Sequence, residues 1–191
     1  MGRTARTYQK VDEADQLIAD LCAKHGDVFW SVNPQTVVIM GIDNVARTEK
    51  AVEKDPLWSK FRNIKGVEKA IFAANQIPVR YIIEVYWSDW NTWNTNTRLA
   101  IIARHLLEIT PDVEKKNRPD AVGFKILYDV LGINWESNYK QIPSLRDDDI
   151  EFNLDLRPGL DDISEDDEIA EVVEEVKKEE EALDLSDEDV L

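Results

Sequence analysis

His105 and Glu108 are the residues whose types and spacing most directly suggest metal chemistry. They stand three positions apart in a segment of helical periodicity, so both side chains would lie on one helix face and could bind one ion. A catalytic zinc needs about three protein ligands, and the other of the 2 His residues, His25, belongs to a different predicted element. The carboxylates that could complete such a site are Asp112, Glu114 and Asp120. A zinc site is therefore an alternative interpretation and not the favoured one.

Arg104, directly before His105, favours a different interpretation. Arg104 and Glu108 are four positions apart, a spacing at which opposite charges pair along a helix. We expect this ion pair to form, with the His105 ring hydrogen-bonded nearby. The three side chains would then form a polar cluster that needs no metal. Alternatively, they border a remodelled pocket with a binding role.

Side chains for nucleophilic or phosphate chemistry are not arranged in a recognisable motif. The sequence has no Gly-rich phosphate loop, no Ser-His-Asp order and no candidate nucleophile with a base nearby. Cys22 falls on the apolar stripe of a predicted helix, which indicates a small core residue and not a reactive thiol. His25, at the end of the same helix, is predicted to be a C-cap on the surface.

Trp87, Trp90 and Trp93 recur every three residues among Asn and Thr. If exposed, they would form an aromatic patch that stacks on a base, a sugar or a protein partner. Alternatively, they cover the edge of the core helix and strand. Basic residues elsewhere are balanced by acids, so direct nucleic-acid binding is not expected.

Five periodic segments would position these residues and predict an α+β domain. They are a helix over 11–25, a strand over 36–40, a strand over 79–87, a helix from about 95 to 109 and a helix over 119–131. The strand at 79–87 is apolar on both alternations, which indicates burial on both faces. The helix ending at 109 is apolar around most of its circumference, which predicts a central helix.

Several segments resemble the zincin-like metallopeptidase family encoded in bacteriophage genomes. The matching pieces are Leu17-Ile18 in the opening helix, the strand 81–86, Leu106-Leu107-Glu108-Ile109, Asp120-Ala121-Val122-Gly123-Phe124 and Leu131-Gly132-Ile133-Asn134-Trp135. The resemblance covers residues 10–136 and is most specific over 97–136. It implies a small zincin-like domain in which a short mixed sheet packs on a central helix.

The resemblance also implies that the zinc centre of that family is lost here. In the family the central helix carries His-Glu-Leu-Leu-His, in which both His bind zinc and the Glu is the general base. Aligning the paired leucines puts Arg104 in the first ligand position, His105 in the general-base position and Glu108 in the second ligand position. Pro119 falls in the third ligand position. Arg104 is a permanent cation that repels Zn²⁺, and Pro119 has no donor atom in its side chain.

Charge is distributed unevenly along the chain, whose net charge is -16. Residues 147–191 contain 21 Asp and Glu against 3 Lys and Arg, whereas residues 1–146 have a net charge of +2. The predicted regions are a flexible N-terminus over 1–10, the zincin-like domain over 11–136, an extended linker over 137–164 and an acidic, partly disordered tail over 165–191.

The tail is predicted to contain a short, narrow amphipathic helix in an otherwise acidic sequence. Its apolar stripe follows helical spacing and consists of Ile169, Val172, Val173 and Val176. The tail could be a solvated segment that aids solubility, or a segment that folds when its stripe enters a groove on a partner. It could also imitate nucleic-acid charge and occupy a basic, nucleic-acid-binding surface.

These observations favour a catalytically inactive metallopeptidase-like phage protein, a pseudoenzyme that binds or inhibits a host or phage protein without a cofactor. The predicted binding residues are Trp87, Trp90, Trp93, Arg104 and His105 in the remodelled groove and Ile169, Val172, Val173 and Val176 in the tail. One alternative is a metal-dependent hydrolase that holds zinc through His105 and Glu108. Another is a structural or assembly protein of the virion.

Membrane insertion and secretion are not expected from the sequence. No apolar run approaches the roughly 18–20 residues that span a bilayer, and the N-terminus lacks the apolar core of a signal peptide. We therefore expect the protein in the cytoplasm of the host cell.

Overall fold

The computed structural model describes residues 5–111, 117 and 124–158. Helices and strands alternate as far as β4, and three helices follow. The order is β1 (Tyr8–Lys10), α1 (Glu13–Lys24), β2 (Val37–Ile42), α2 (Glu49–Lys54), β3 (Ser59–Asn63), α3 (Gly66–Ala74), β4 (Tyr81–Tyr86), α4 (Trp87–Thr92), α5 (Thr95–Leu106) and α6 (Lys125–Leu131). The predicted α+β class is confirmed. The chain divides into two units after Pro158, and the second unit lies outside the described residues.

The four strands form one mixed sheet in the order β1-β2-β4-β3. The central strands β2 and β4 are parallel, whereas β1 and β3 pair antiparallel to them at the two edges. Ile83 of β4 lies opposite Ile39 on one side and Phe61 on the other, and all three side chains are buried. The predicted short mixed sheet is therefore confirmed, and its inner face forms part of the main hydrophobic core.

Helix α5 is the central helix that the sequence predicts. The Asn94 side chain accepts a hydrogen bond from the Thr97 backbone N–H at 2.8 Å, which caps the first turn. Five consecutive residues, 99–103, are completely buried, because the helix packs in the middle of the core. The helix ends at Leu106 and not at residue 109, and a hydrogen bond from Glu108 N–H to the His105 carbonyl tightens the chain beyond it.

Two predicted boundaries are wrong where backbone geometry decides them. Tyr8–Lys10, assigned to a flexible N-terminus, pair with β2 as an edge strand. Edge pairing uses backbone N–H and C=O groups, so their polar side chains carry no signal of it. The helix predicted over 119–131 has its described start at Lys125, because Phe124 has an extended backbone (φ -87°, ψ 121°) and cannot be part of α6. Residues 118–123 lie outside the described residues.

The segment over 137–158 is packed and is not the loosely attached linker that the sequence predicts. Leu145 is completely buried and Ile142 is 6% exposed. Phe152 packs edge-on against the His25 ring at a centroid distance of 4.8 Å, and the His25 Nε2 atom lies 2.7 Å from the Leu145 carbonyl. Residues 159–164 of the predicted linker lie outside the described residues. Across the described part of the chain, no helix is both long and apolar enough to span a membrane.

Candidate functional site

The C-terminal end of α5 and the first residue of β3 bring the candidate site together. Arg104 and His105 occupy the last turn of α5, and Glu108 follows in the loop beyond it. Ser59 begins β3, the edge strand, and its side chain shares the inner sheet face with that of Phe61. The sheet therefore holds a serine hydroxyl against the end of the central helix.

Ser59, His105 and Glu108 form a continuous hydrogen-bonded series. The Ser59 Oγ atom lies 2.8 Å from His105 Nε2, and His105 Nδ1 lies 2.6 Å from Glu108 Oε1. The imidazole ring is almost fully buried, Ser59 is half-buried, and the Glu108 side chain is 21% exposed. A hydroxyl, an imidazole and a carboxylate in this order match the arrangement in which an acid orients a base and the base activates a nucleophile.

The Arg104 guanidinium is also hydrogen-bonded to the Ser59 hydroxyl. Its Nη2 atom donates a hydrogen bond to Ser59 Oγ at 2.6 Å and approaches the Leu57 carbonyl at 3.4 Å. Its Nη1 atom forms an ion pair with Glu136 at 3.3 Å. The predicted ion pair between Arg104 and Glu108 is wrong, because Arg104 pairs with Glu136 from a later segment whereas Glu108 contacts His105. The predicted polar cluster is nevertheless present, with His105 as the partner of Glu108.

Two aromatic side chains hold this cluster in place. The ring of Phe61 stacks on that of His105 at a centroid distance of 6.0 Å and an interplanar angle of 9°. The indole N–H of Trp93 donates to the Pro56 carbonyl at 3.3 Å, which positions the loop that leads into β3. Because Phe61 and Trp93 are both buried, these contacts restrict the orientation of the imidazole and the path of the loop.

A pocket of about 470 Å³ opens beside Arg104. It is lined by Glu53, Lys54, Asp55, Pro56, Leu57, Arg104, Glu136 and Ser137. The Arg104 guanidinium links this pocket to Ser59, since it forms part of the lining and donates to Oγ. A small polar molecule bound in the pocket would therefore meet the guanidinium next to the hydroxyl.

The three tryptophans do not form an exposed patch, and that interpretation is wrong. Trp90 is completely buried and Trp93 is 4% exposed. The indole N–H of Trp90 donates to Glu13 at 2.6 Å, and the Arg98 guanidinium lies 5.1 Å from the Trp90 ring centroid. Trp87 is half-buried and lies over Gly41 of β2. They instead cover the core, as the alternative interpretation predicts.

Helix α4 carries Trp87 and Trp90, and a buried ion pair holds it. Arg47 Nη1 lies 2.7 Å from Asp89 Oδ2, and the two side chains are 6% and 8% exposed. Arg47 also donates to the Ala51 carbonyl, which satisfies a second donor of the guanidinium. A core tolerates two buried opposite charges when they pair with each other and their remaining polar atoms have further hydrogen-bond partners. The pair is 42 positions apart, so the sequence carries no local signal of it.

Neither Cys22 nor His25 belongs to the site. Burial raises the pKa of the Cys22 thiol to about 11, which disfavours the reactive thiolate and agrees with the predicted role in packing. His25 is the C-cap of α1 as predicted, but it is buried and not on the surface. Burial lowers the pKa of His25, although its hydrogen bond to the Leu145 carbonyl acts in the opposite direction.

Ser59 is the site residue that the sequence analysis missed. It stands 46 positions before His105, in a mixed, charged stretch where no strand is predicted. Predicting the strand β3 would have been the way to find Ser59. Ser59 and Phe61 lie on the same face of this strand, so a buried Phe61 places Ser59 on the inner side of the sheet. The sequence offers no nucleophile with a base nearby, whereas the tertiary fold places the Ser59 hydroxyl beside the His105 imidazole.

The remaining predicted site residues lie outside the described part of the chain. They are Pro119, Ile169, Val172, Val173 and Val176. Among the residues that the structure does describe, no three His, Cys, Asp or Glu side chains cluster as metal ligands would. Comparison with known proteins gives no matching family model, no matching curated protein and no matching solved structure.

Proposed function

We propose that this chain is a metallopeptidase-like phage protein that has exchanged a zinc centre for a polar cluster and binds a protein partner in the host cytoplasm. The observation that best supports the exchange is the 2.6 Å contact between Arg104 Nη2 and Ser59 Oγ. The resemblance assigns Arg104 to the first zinc-ligand position. A guanidinium held at that position would repel a divalent cation.

The contacts of His105 and Glu108 argue against zinc bound in an altered site. Zinc takes nitrogen or oxygen lone pairs that are free of other partners. Here the His105 Nδ1 atom contacts Glu108, and its Nε2 atom faces the Ser59 hydroxyl. A metal held by both His105 and Glu108 would have to break these contacts beside the Arg104 cation.

The acidic composition of the C-terminal segment supports the binding role. Residues 159–191 contain 16 Asp and Glu against 2 Lys. A segment of this charge is attracted to a basic protein surface, including one that otherwise binds nucleic acid. The apolar residues at 169, 172, 173 and 176 would add a specific contact on such a surface. The partner is therefore expected to present a basic groove with an apolar floor.

Metal analysis of the full chain tests the first half of the proposal. The protein is purified without chelator, supplied with zinc, dialysed and analysed by mass spectrometry of the elements. We expect zinc well below one ion per chain, in the original protein and in His105→Ala alike. Stoichiometric zinc that is lost in His105→Ala would contradict the proposal and favour the metal-dependent hydrolase.

A binding experiment tests the second half. The full chain is compared as bait with a chain ending at Pro158 and with a full chain carrying Val172→Ser and Val173→Ser. The captured protein should have a basic surface, should be released by salt because screening weakens charge pairing, and should be lost with residues 159–191. Loss in the double serine variant would show that the apolar stripe contributes. A partner that binds all three baits equally would contradict the role of the acidic segment.

A further inference from the structure

We propose that Ser59 is a nucleophile, activated by His105 and Glu108, that hydrolyses small polar carboxylic esters. This activity goes beyond the proposed binding function and needs no metal. It rests on three atoms in series, Ser59 Oγ, His105 Nε2 and Nδ1, and Glu108 Oε1, joined at 2.8 Å and 2.6 Å. The chemistry is that of a serine paired with a base that a carboxylate orients.

The direction of the hydrogen bonds follows from the number of protons available. A carboxylate only accepts, so a neutral His105 ring carries its proton on Nδ1 and donates it to Glu108. The Nε2 lone pair then faces Ser59. The hydroxyl proton has two acceptors within reach, His105 Nε2 at 2.8 Å and the Leu57 carbonyl at 3.3 Å. The shorter contact directs it to the imidazole, as general-base activation requires.

Arg104 supplies positive charge where negative charge develops. When Ser59 Oγ adds to an ester carbonyl, the carbonyl oxygen becomes an oxyanion on the carbon bonded to Oγ. The Arg104 Nη2 atom donates to Oγ at 2.6 Å in the free protein, and the proposal requires this donor to turn to the neighbouring oxyanion as the bond between Oγ and the acyl carbon forms. A single guanidinium suits an ester, because an alkoxide leaves more readily than an amide nitrogen. The ion pair with Glu136 orients the guanidinium from the pocket side.

We infer that a substrate reaches the hydroxyl from the pocket beside Arg104, because the guanidinium lines that pocket and donates to Ser59 Oγ. Ser59 is half-buried and not sealed, whereas His105 is 4% exposed and stacked on Phe61. The base is thus shielded from water, and Ser59 is the more exposed of the two residues. The pocket volume of about 470 Å³ admits a small molecule, and charged side chains from residues 53–55 make its rim polar. These features suit a small polar ester.

The reaction balances with ester and water as the reactants. Ser59 Oγ attacks the carbonyl carbon as its proton moves to His105 Nε2, and a C–O bond forms. The C–O bond to the alcohol then breaks, and the alcohol oxygen takes the proton from Nε2. Water attacks the acyl carbon of the resulting Ser59 ester by the same route. The carboxylic acid leaves and the Ser59 hydroxyl is restored.

Covalent labelling of the full chain with a fluorophosphonate probe tests the proposal directly. We expect one adduct, mapped by peptide mass spectrometry to the peptide that contains Ser59. Ser59→Ala should remove it, whereas Ser144→Ala, at a half-buried serine in a loop, should label like the original protein. Absence of an adduct, or an adduct on another residue, would overturn the proposal. Mapping on the original protein keeps this outcome decisive even if Ser59→Ala folds poorly.

Hydrolysis of 4-nitrophenyl acetate tests the roles of the other two groups. His105→Ala should lower the rate by about 100-fold or more, and added imidazole should restore part of it, because imidazole can replace the missing base. Glu108→Gln should lower kcat with KM unchanged, since Glu108 positions the base and does not touch the ester. Ester hydrolysis that persists unchanged in His105→Ala would overturn the proposal. Zinc content and partner capture are measured separately, so failure here leaves the proposed function untouched.

Discussion

The indole ring of Trp87 lies directly over Gly41, so that a Cβ atom added at Gly41 would be 2.5 Å from Cε3 of the ring. Gly41 is in the middle of the sheet, opposite Val85 of the parallel strand. The absence of a side chain at this position is what allows Trp87 to cover β2. Trp87 therefore packs on the sheet, although the sequence made it a candidate for partner binding.

Gly41→Ala is expected to destabilise the protein by ~1–3 kcal/mol, because the added methyl group overpacks the contact with Trp87. The measurement is the free energy of unfolding in urea. Gly26→Ala is the matched control, since a Cβ there meets its nearest atom, the Cys22 carbonyl oxygen, at an ordinary 3.5 Å. Equal stabilities of the two variants would show that Trp87 does not restrict position 41.

Asp89→Ala is expected to lower the free energy of unfolding by about 3–5 kcal/mol, because it leaves the Arg47 guanidinium buried without its carboxylate. Asp15→Ala provides the comparison, since its ion pair with Lys10 has side chains that are 46% and 50% exposed. Exposed pairs of this kind contribute about 0–1 kcal/mol. Chemical denaturation measures both, and similar losses for Asp89 and Asp15 would contradict the buried pair.

Leu145→Ala is expected to lower the free energy of unfolding by about 2–5 kcal/mol, because it leaves a cavity in the core. Leu154→Ala, at a side chain that is 40% exposed, should change the stability by no more than about 0.5 kcal/mol. Thermal and urea unfolding of the two variants measure the difference. If both substitutions were neutral, residues 137–158 would be the loose linker that the sequence suggests.

Stability is expected to fall as the pH drops from about 7 through the folded-state pKa of His25, which burial holds below the unfolded value near 6.5. Between these two pKa values the unfolded chain binds more protons than the folded one, so acidification favours unfolding. His25→Gln removes this contribution and should flatten the profile in that window. Urea midpoints measured from pH 7.5 to 5 provide the test, and identical slopes for the two proteins would contradict it.

Cys22 is expected to react with a thiol reagent at pH 8 roughly 100-fold or more slowly in the folded protein than in urea. The reason is that burial raises its pKa to about 11, whereas an unfolded cysteine has a pKa near 8.5. Absorbance after addition of a disulfide reagent measures both rates. A native rate equal to the rate in urea would contradict the buried position.

The central helix and the long strand β4 were predictable because their side-chain patterns are local. Eight of the twelve residues of α5 are buried, and its almost unbroken run of apolar residues predicts a helix in the core. The strand β3 has one buried residue, Phe61, and the strand β1 has none. Both are edge strands held by backbone pairing, so their sequences contain little that distinguishes them from loops.

The candidate site likewise combines a contact that local spacing predicts with contacts to residues that are distant in the sequence. The contact between His105 and Glu108 follows from their spacing of three residues at the end of a helix. Arg104 has an equally favourable spacing to Glu108 but pairs with Glu136, 32 positions later. Local spacing determines which side chains can meet. The partners available from other elements determine which ones do.

The sequence by itself determined the class of the fold, the central helix, the acidic C-terminal charge and the juxtaposition of His105 with Glu108, because composition and short-range periodicity encode them. Tertiary structure alone decided that Ser59 and Arg104 join that pair, that Trp90 and Trp93 are buried, and that Leu145 belongs to the core. Each of these depends on which distant surfaces meet when apolar area is removed from water. That outcome is a property of the whole packed chain and not of any short window of residues.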